Sequence, residues 1–298
     1  MSVDECYIFK QYDYPDGLFE KSIDATYIIY LQGSNRISNI LRQLQSYHPS
    51  KRIYLLMNKG YKECKKNLLE NRSPADIIDA NITIFKHSQQ HNYSNILVLE
   101  DDFIFSKDIK DPKHIRNIDS FLLENKHKDF IYQLGSIPIL SIPYTFTTYF
   151  TFSWAAHANI YSALAQERFI NDYNANKINL KTASSGLDGY IIMNNIYTHN
   201  LYMYYKPLCY QIFTGTENSS QWVSPGPFKT TQMFLINFFL NIFGIDKTPQ
   251  PGTSIIYLIS KLLFLFLVIL VSYLIHIVFR YFKFYSIVQK KLKYLSKH

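Results

Sequence analysis

A chain of 298 residues with 47% hydrophobic content is long enough to bury one large core or two small ones. Six of its 31 basic residues lie from Arg280 onward with no acid among them, leaving 25 basic against 23 acidic before that point. The body therefore lacks the basic stripe that neutralises a phosphate backbone, which argues against nucleic acid as a partner, and the three widely spaced cysteines (Cys6, Cys64, Cys209) fit neither a disulfide framework nor a zinc site and predict free thiols in a reducing compartment.

Residues 1–24 carry early acids (Asp4, Glu5) and no apolar run of the kind a secretory signal has, so they are expected to form an N-terminal arm or edge strand. Residues 25–31, Ala-Thr-Tyr-Ile-Ile-Tyr-Leu, are rich in branched and aromatic side chains and predict the first strand. A polar turn comes next at residues 32–36, and Ile37, Ile40, Leu41 and Leu44 then recur at helical spacing. Strand, glycine-containing turn and helix open an α/β nucleotide-binding unit, here without a dinucleotide or P-loop signature. The turn from Leu31 to Arg36 is the candidate phosphate side; Arg36 is either a phosphate partner or a solvated first-turn arginine. Residues 52–57 predict a second strand and residues 61–70 a lysine-rich exposed helix. His87 and His91 stand four apart, a spacing that permits metal binding but is more often a pair of surface histidines, because a zinc site needs three or four ligands.

Residues 95–99 form a short apolar run that meets three carboxylates, Glu100, Asp101 and Asp102, and turns apolar again at residues 103–105. Such a run reads as a buried strand, and the acids at its end repel one another unless solvent or a hard divalent cation offsets them. In an extended chain Glu100 and Asp102 point to one side and Asp101 to the other, which makes Glu100 and Asp102 the candidate metal ligands. Asp101 is left to a backbone amide or to the nucleotide. Strands alternating with helices over residues 25–105 predict an α/β fold with a mostly parallel central sheet, the acids lying at the end of about the third strand. Further on, the aromatic run at residues 144–152 and Trp154 fit core packing better than sugar stacking. His157 is either a buried structural histidine or a donor-site group. Asp188, flanked by Gly186 and Gly189, is either a plain turn aspartate or a catalytic base exposed by the turn.

Residues 233–245 are apolar with Asn237 and Asn241 on one face, too short to span a bilayer, and predict an interfacial or docking helix. After a proline-containing linker, residues 262–279 are apolar apart from Ser272 and His276 and predict a transmembrane helix followed by a basic tail. The expected organisation is an arm (1–24), a catalytic domain (25–225), an interfacial helix and linker (226–252), a membrane helix (253–282) and a basic tail (283–298). Orientation is contested: the tail favours a cytosolic C-terminus, whereas free cysteines and the missing signal favour a cytosolic catalytic domain, and the expectation follows the latter.

The motifs come in an order that resembles glycosyltransferase family 25, the group of lipopolysaccharide sugar transferases and collagen galactosyltransferases. Tyr27-Ile28-Ile29-Tyr30-Leu31 with Ser34-Asn35-Arg36 is similar to the family's opening segment, and Ile96-Leu97-Val98-Leu99-Glu100-Asp101-Asp102 to its acidic strand end. His157-Ala158-Asn159-Ile160-Tyr161-Ser162, Ser185-Gly186-Leu187-Asp188-Gly189-Tyr190-Ile191 and Lys206-Pro207-Leu208-Cys209-Tyr210-Gln211, the last ending near Gly215 to Ser220, resemble later blocks. The resemblance implies a GT-A-like fold, a nucleotide-sugar donor such as a UDP-sugar, and Mn2+ or Mg2+ on Glu100 and Asp102. It also implies Leu31, Arg36, Asp101 and His157 on the donor side, Asp188 as the base, and a glycan, lipid-linked or protein acceptor. Asn218-Ser219-Ser220 stands where the family has a final acid, so a catalytically inactive sugar-binding or scaffolding protein is the alternative.

Overall fold

In the computed structural model, which describes residues 6–178, 186–213, 227 and 229–295, the first half of the chain runs β1 (Tyr7–Asp13), β2 (Ala25–Leu31), α1 (Ile37–Ser46), β3 (Arg52–Asn58), α2 (Gly60–Glu63), α3 (Ser73–Gln90), β4 (Asn95–Glu100) and β5 (Phe103–Phe105). A 3-10 turn at Lys107–Lys110 leads to α4 (Pro112–Glu124), β6 (Ile131–Pro143), β7 (Thr148–Ser162), α5 (Ala163–Asn174), α6 (Leu187–Thr198), β8 (Leu201–Tyr204), β9 (Cys209–Gln211), α7 (Lys229–Ile242) and α8 (Gly252–Leu295).

Seven strands form one mixed sheet in the order β1-β3-β2-β4-β7-β6-β8, and β5 pairs with β9 in a small second sheet. β2 lies parallel to both β3 and β4, so Leu31, Asn58 and Glu100 end along one edge. Residues 25–30 are buried without a break, as a strand covered on both faces requires. One core cluster holds Tyr27, Ile29, Val98, Phe85 and Phe169, and the other holds Ile28, Leu97, Leu99, Ile118 and Leu122. β1 takes the sheet edge, antiparallel to β3, as expected of an N-terminal arm. The sheet is thus mixed: β7 runs antiparallel to β4 and to β6.

Two expectations are corrected. The helix anticipated at residues 61–70 is confined to Gly60–Glu63, because the residues after it are tied down by tertiary partners. The Lys66 ammonium is buried between Asn58 and Asp76, and Cys64 is bonded to Cys6. The second correction is that disulfide. Cys6 and Cys64 are 58 residues apart in sequence, and the pairing of β1 with β3 brings their Cα atoms to 5.7 Å; of the three thiols only the buried Cys209 is free. An odd count of cysteines concealed one bonded pair and one core residue.

A third, smaller cluster joins the sheet to the C-terminal helices: Ile137, Ala155, Leu240, Ile245 and Ile256. α8 begins as part of the domain, with Ile256, Tyr257 and Ser260 buried and Ser260 bonded to Ser141 at 2.7 Å. It then leaves the domain without a break. Residues Gly252–Tyr285 make one helix long and apolar enough to cross a membrane, and beyond Lys261 its side chains up to Tyr285 are almost all exposed.

Candidate active site at the ends of β2 and β4

The chain turns at residues 101–102 as soon as β4 ends, so the strand alternation stops at Glu100. This corrects the expectation that Asp101 points away from Asp102. One guanidinium nitrogen of Arg36 lies 2.5 Å from Asp101 Oδ1 and 3.2 Å from Asp102 Oδ2, both carboxylates being nearly closed off from solvent. Asp101 Oδ2 also accepts from the Leu31 N–H and the Ser34 hydroxyl, each at 3.4 Å. Asp101 therefore clamps the turn after β2, the role of holding a backbone amide.

Asp102 is differently placed. Its Oδ2 accepts from Gln211 Nε2 at 3.1 Å, while its Oδ1 is buried with no partner. Burial pushes its carboxyl up to about 6, with Asp101 adding to the shift and Arg36 and Gln211 opposing it. Glu100 keeps a partly open surface, yet the protein around it and the nearby Asp102, Asp188 and Asp101 hold its carboxyl well above the usual range, against the pull of Arg36. Four acids and one arginine thus share a confined volume, the arrangement in which carboxyl groups gain most from a second cation.

Asp188 does not sit on a turn as expected. It is the second residue of α6, after Gly186 at φ +116°, and its Oδ2 accepts from the Ala155 N–H at 3.0 Å. The helix N-terminus favours its charge. Ala155 itself holds a positive φ of 68°, an uncommon conformation for alanine that aims its N–H at Asp188. His157 lies below this layer, 3% exposed, with Nε2 3.5 Å from the Cys209 carbonyl oxygen, and burial lowers its pKa to about 4. His157 is thus a buried histidine, held neutral and packed against the Cys209 carbonyl of β9.

Glu100, Asp101, Asp102, Asp188, Arg36 and the Leu31 amide are therefore brought together, and His157 packs on the β9 backbone at Cys209. Gln211 and Ser34 join them; both stand inside the motif blocks, but nothing in their type or spacing marks them as carboxylate partners. The block at 215–220 lies outside the described residues. His87 and His91 are elsewhere, on and just after α3: His87 stacks on Phe9 and bonds to the Tyr27 hydroxyl at 2.8 Å, which makes the pair part of an aromatic cluster.

Among the described residues, no group of three or more His, Cys, Asp or Glu is disposed to hold a metal ion by itself. The residues present fit a different mode. Mg2+ and similar ions are commonly held by one or two carboxylates with substrate phosphates completing the shell, and the partnerless Asp102 Oδ1 beside Glu100 offers that pair.

No protein-family model matches the sequence, and no curated protein is significantly similar to it. Among the solved structures that overlap with it are two at low identity. One is a glycosyltransferase involved in the glycosylation of the major capsid of PBCV-1, with 12% identity, a TM-score of 0.40, and 71% of this chain and 99% of that chain covered. The other is mannose-1-phosphate geranyltransferase from Thermus thermophilus, with 9% identity, a TM-score of 0.34, and coverage of 61% and 73%. Overlaps of that depth do not identify the fold.

Proposed function

We propose that this chain is a membrane-anchored glycosyltransferase of GT-A-like architecture that moves a hexose from a nucleotide sugar to a hydroxyl of a glycan, lipid-linked or protein acceptor. The carrying observation is the group of acids at the carboxyl ends of the parallel strands, where open α/β sheets bind ligands: Glu100 lies within electrostatic reach of Asp101, Asp102 and Asp188, and Asp101 is bonded to the Leu31 to Arg36 turn. The order of the motifs, which resembles that of glycosyltransferase family 25, supports the same reading.

In this mechanism Leu31, Ser34 and Asp101 fix the turn that receives the nucleotide, and Arg36 presents positive charge beside the diphosphate. Glu100 and Asp102 would hold Mn2+ or Mg2+, which when bound supplies a counter-charge for the leaving diphosphate. Asp188, oriented by the Ala155 amide, takes the proton of the acceptor hydroxyl as its oxygen bonds to the sugar carbon and the bond from that carbon to the diphosphate oxygen breaks. The configuration inverts. The C-terminal helix spans the membrane, and α7, with Phe234, Leu235, Phe238 and Ile242 exposed, lies in the interface.

The test is turnover of a panel of nucleotide sugars with Mn2+. Wild type is expected to release nucleoside diphosphate, Asp102→Ala to lose that release, and Asp188→Asn to lose transfer while still binding donor. Donor that raises thermal stability without turning over would instead identify a sugar-binding protein that keeps the fold.

A further inference from the structure

The span has a built-in ruler. Lys261 and Arg280 bracket eighteen residues without Lys, Arg, Asp or Glu, and the rise between them is about 28 Å at 1.5 Å per residue, close to the roughly 30 Å of a bilayer's hydrocarbon core. Lys261 therefore marks the boundary on the side of the domain. Its ammonium is not directed to bulk solvent: it donates to the Tyr205 carbonyl oxygen and lies 4.9 Å and 5.6 Å from the ring centres of Tyr149 and Tyr205. The Tyr205 N–H in turn donates to the Thr147 carbonyl oxygen at 3.0 Å. The turn joining β6 to β7 is thereby tied, through Tyr205, to the residue that marks the boundary.

That turn is built for an apolar medium. Phe146 at its tip is fully exposed and Tyr144 is half exposed. No Lys, Arg, Asp or Glu occurs from Phe130 to Gln166, the whole hairpin and its flanks. Four of the turn's amides are engaged within it: those of Tyr144 and Thr145 donate to the Thr148 carbonyl oxygen, and those of Thr147 and Thr148 to the Thr145 hydroxyl. A loop entering lipid needs its backbone groups satisfied in this way, and aromatic side chains are the ones favoured at the headgroup level. β6 also advances in the direction of α8, Ser136 meeting Tyr257 and Ser141 meeting Ser260, so the turn lies towards the outgoing span.

We infer that the β6–β7 turn, with Phe146 at its tip, is a membrane contact additional to α8 and α7 that seats the catalytic domain on the leaflet from which α8 emerges. The inference rests on the reading of α8 as a membrane span. It gives the sheet itself a hold on the membrane beside the C-terminal helices, so the domain neither swings about its anchor nor lifts from the surface.

The experiment uses the full chain in lipid vesicles with single cysteines at Phe146, Leu267 and Ile8, in a Cys209→Ser background that keeps the Cys6–Cys64 bond. Each carries an environment-sensitive fluorophore, quenched from within by lipids labelled near the carbonyl and from outside by iodide. Ile8, exposed on the edge strand at the far side of the sheet, reports water. A blue shift, lipid quenching and loss of iodide quenching at position 146 relative to position 8 are expected. Lipid quenching at 267 but not at 146 overturns the inference alone, and iodide access at both overturns the membrane reading with it. Protection at 146 from both quenchers would mean that protein covers the turn, which also overturns the inference.

Discussion

Arg36 does two jobs that its place in the sequence leaves undecided: it neutralises Asp101 and Asp102, and it pins the turn after β2 to the turn after β4. Arg36→Met is expected to cost on the order of 2 kcal/mol, as for a charged hydrogen-bonding group lost from a largely buried site, and chemical denaturation measures it. His157 gives a pH signature. Its folded pKa is depressed to about 4 from an ordinary 6.5, so the fold disfavours the protonated ring. This contribution is complete above pH 6.5 and is lost as pH drops through the window to about 4, by about 3 kcal/mol at 1.36 kcal/mol per unit. Asp102 and Glu100, whose carboxyls are held high, act in the opposite sense over the same window, so the histidine's share is read as a difference: as pH falls from 7 to 4, the thermal melts of His157→Gln should gain on those of wild type.

At the scale of elements, Gly135 shows how closely β6, β7 and β9 approach beneath the acids. A methyl group there would stand 2.0 Å from the Cys209 carbonyl oxygen and 2.6 Å from His157 Nε2. Gly135→Ala should therefore destabilise by on the order of 3 kcal/mol, read as a lowered denaturation midpoint, since neither the strand nor the buried ring has room to yield. The parallel strands are legible in the sequence because their apolar runs are bounded by polar turns, and β2 begins and ends as its composition predicts. The acids at the end of β4 are legible for the same reason. Residues 61–70 are not, because their lysines suggest a solvated helix and only the folded chain shows Lys66 enclosed by Asn58 and Asp76. The aromatics of the charge-free hairpin, residues 144–152 and Trp154, read as core packing, and the fold corrects that: Tyr144, Phe146 and Trp154 are exposed, and Tyr149, Phe150 and Phe152 are only half-buried. Asp188 is singled out by its motif, and its helix position depends on Gly186, whose positive φ no periodicity reveals.

For the molecule as a whole, the Cys6–Cys64 bond reverses the argument about orientation. Free thiols are a reason to place the domain in the cytosol; a disulfide belongs to an oxidising compartment, and the basic tail after Arg280 favours a cytosolic C-terminus. The domain is therefore expected on the non-cytosolic side, so protease added to sealed vesicles of native sidedness should trim the tail and spare the domain. Closing a loop of 58 residues, the bond should add about 4 kcal/mol by chain entropy, so reduction or the double Cys→Ser change should lower the melting temperature without touching the acid layer. Finally, α8 has no joint between the domain and its exposed stretch. Ile256 packs in one cluster with Ala155, whose amide holds Asp188, and it lies five residues, about 7.5 Å of helix, before Lys261. With α8 in a bilayer, the candidate base rides just above the lipid headgroups at a constant height. Encounters with an acceptor carried in the same leaflet then become a search in two dimensions, governed by acceptors per unit area of membrane rather than by their concentration in solution.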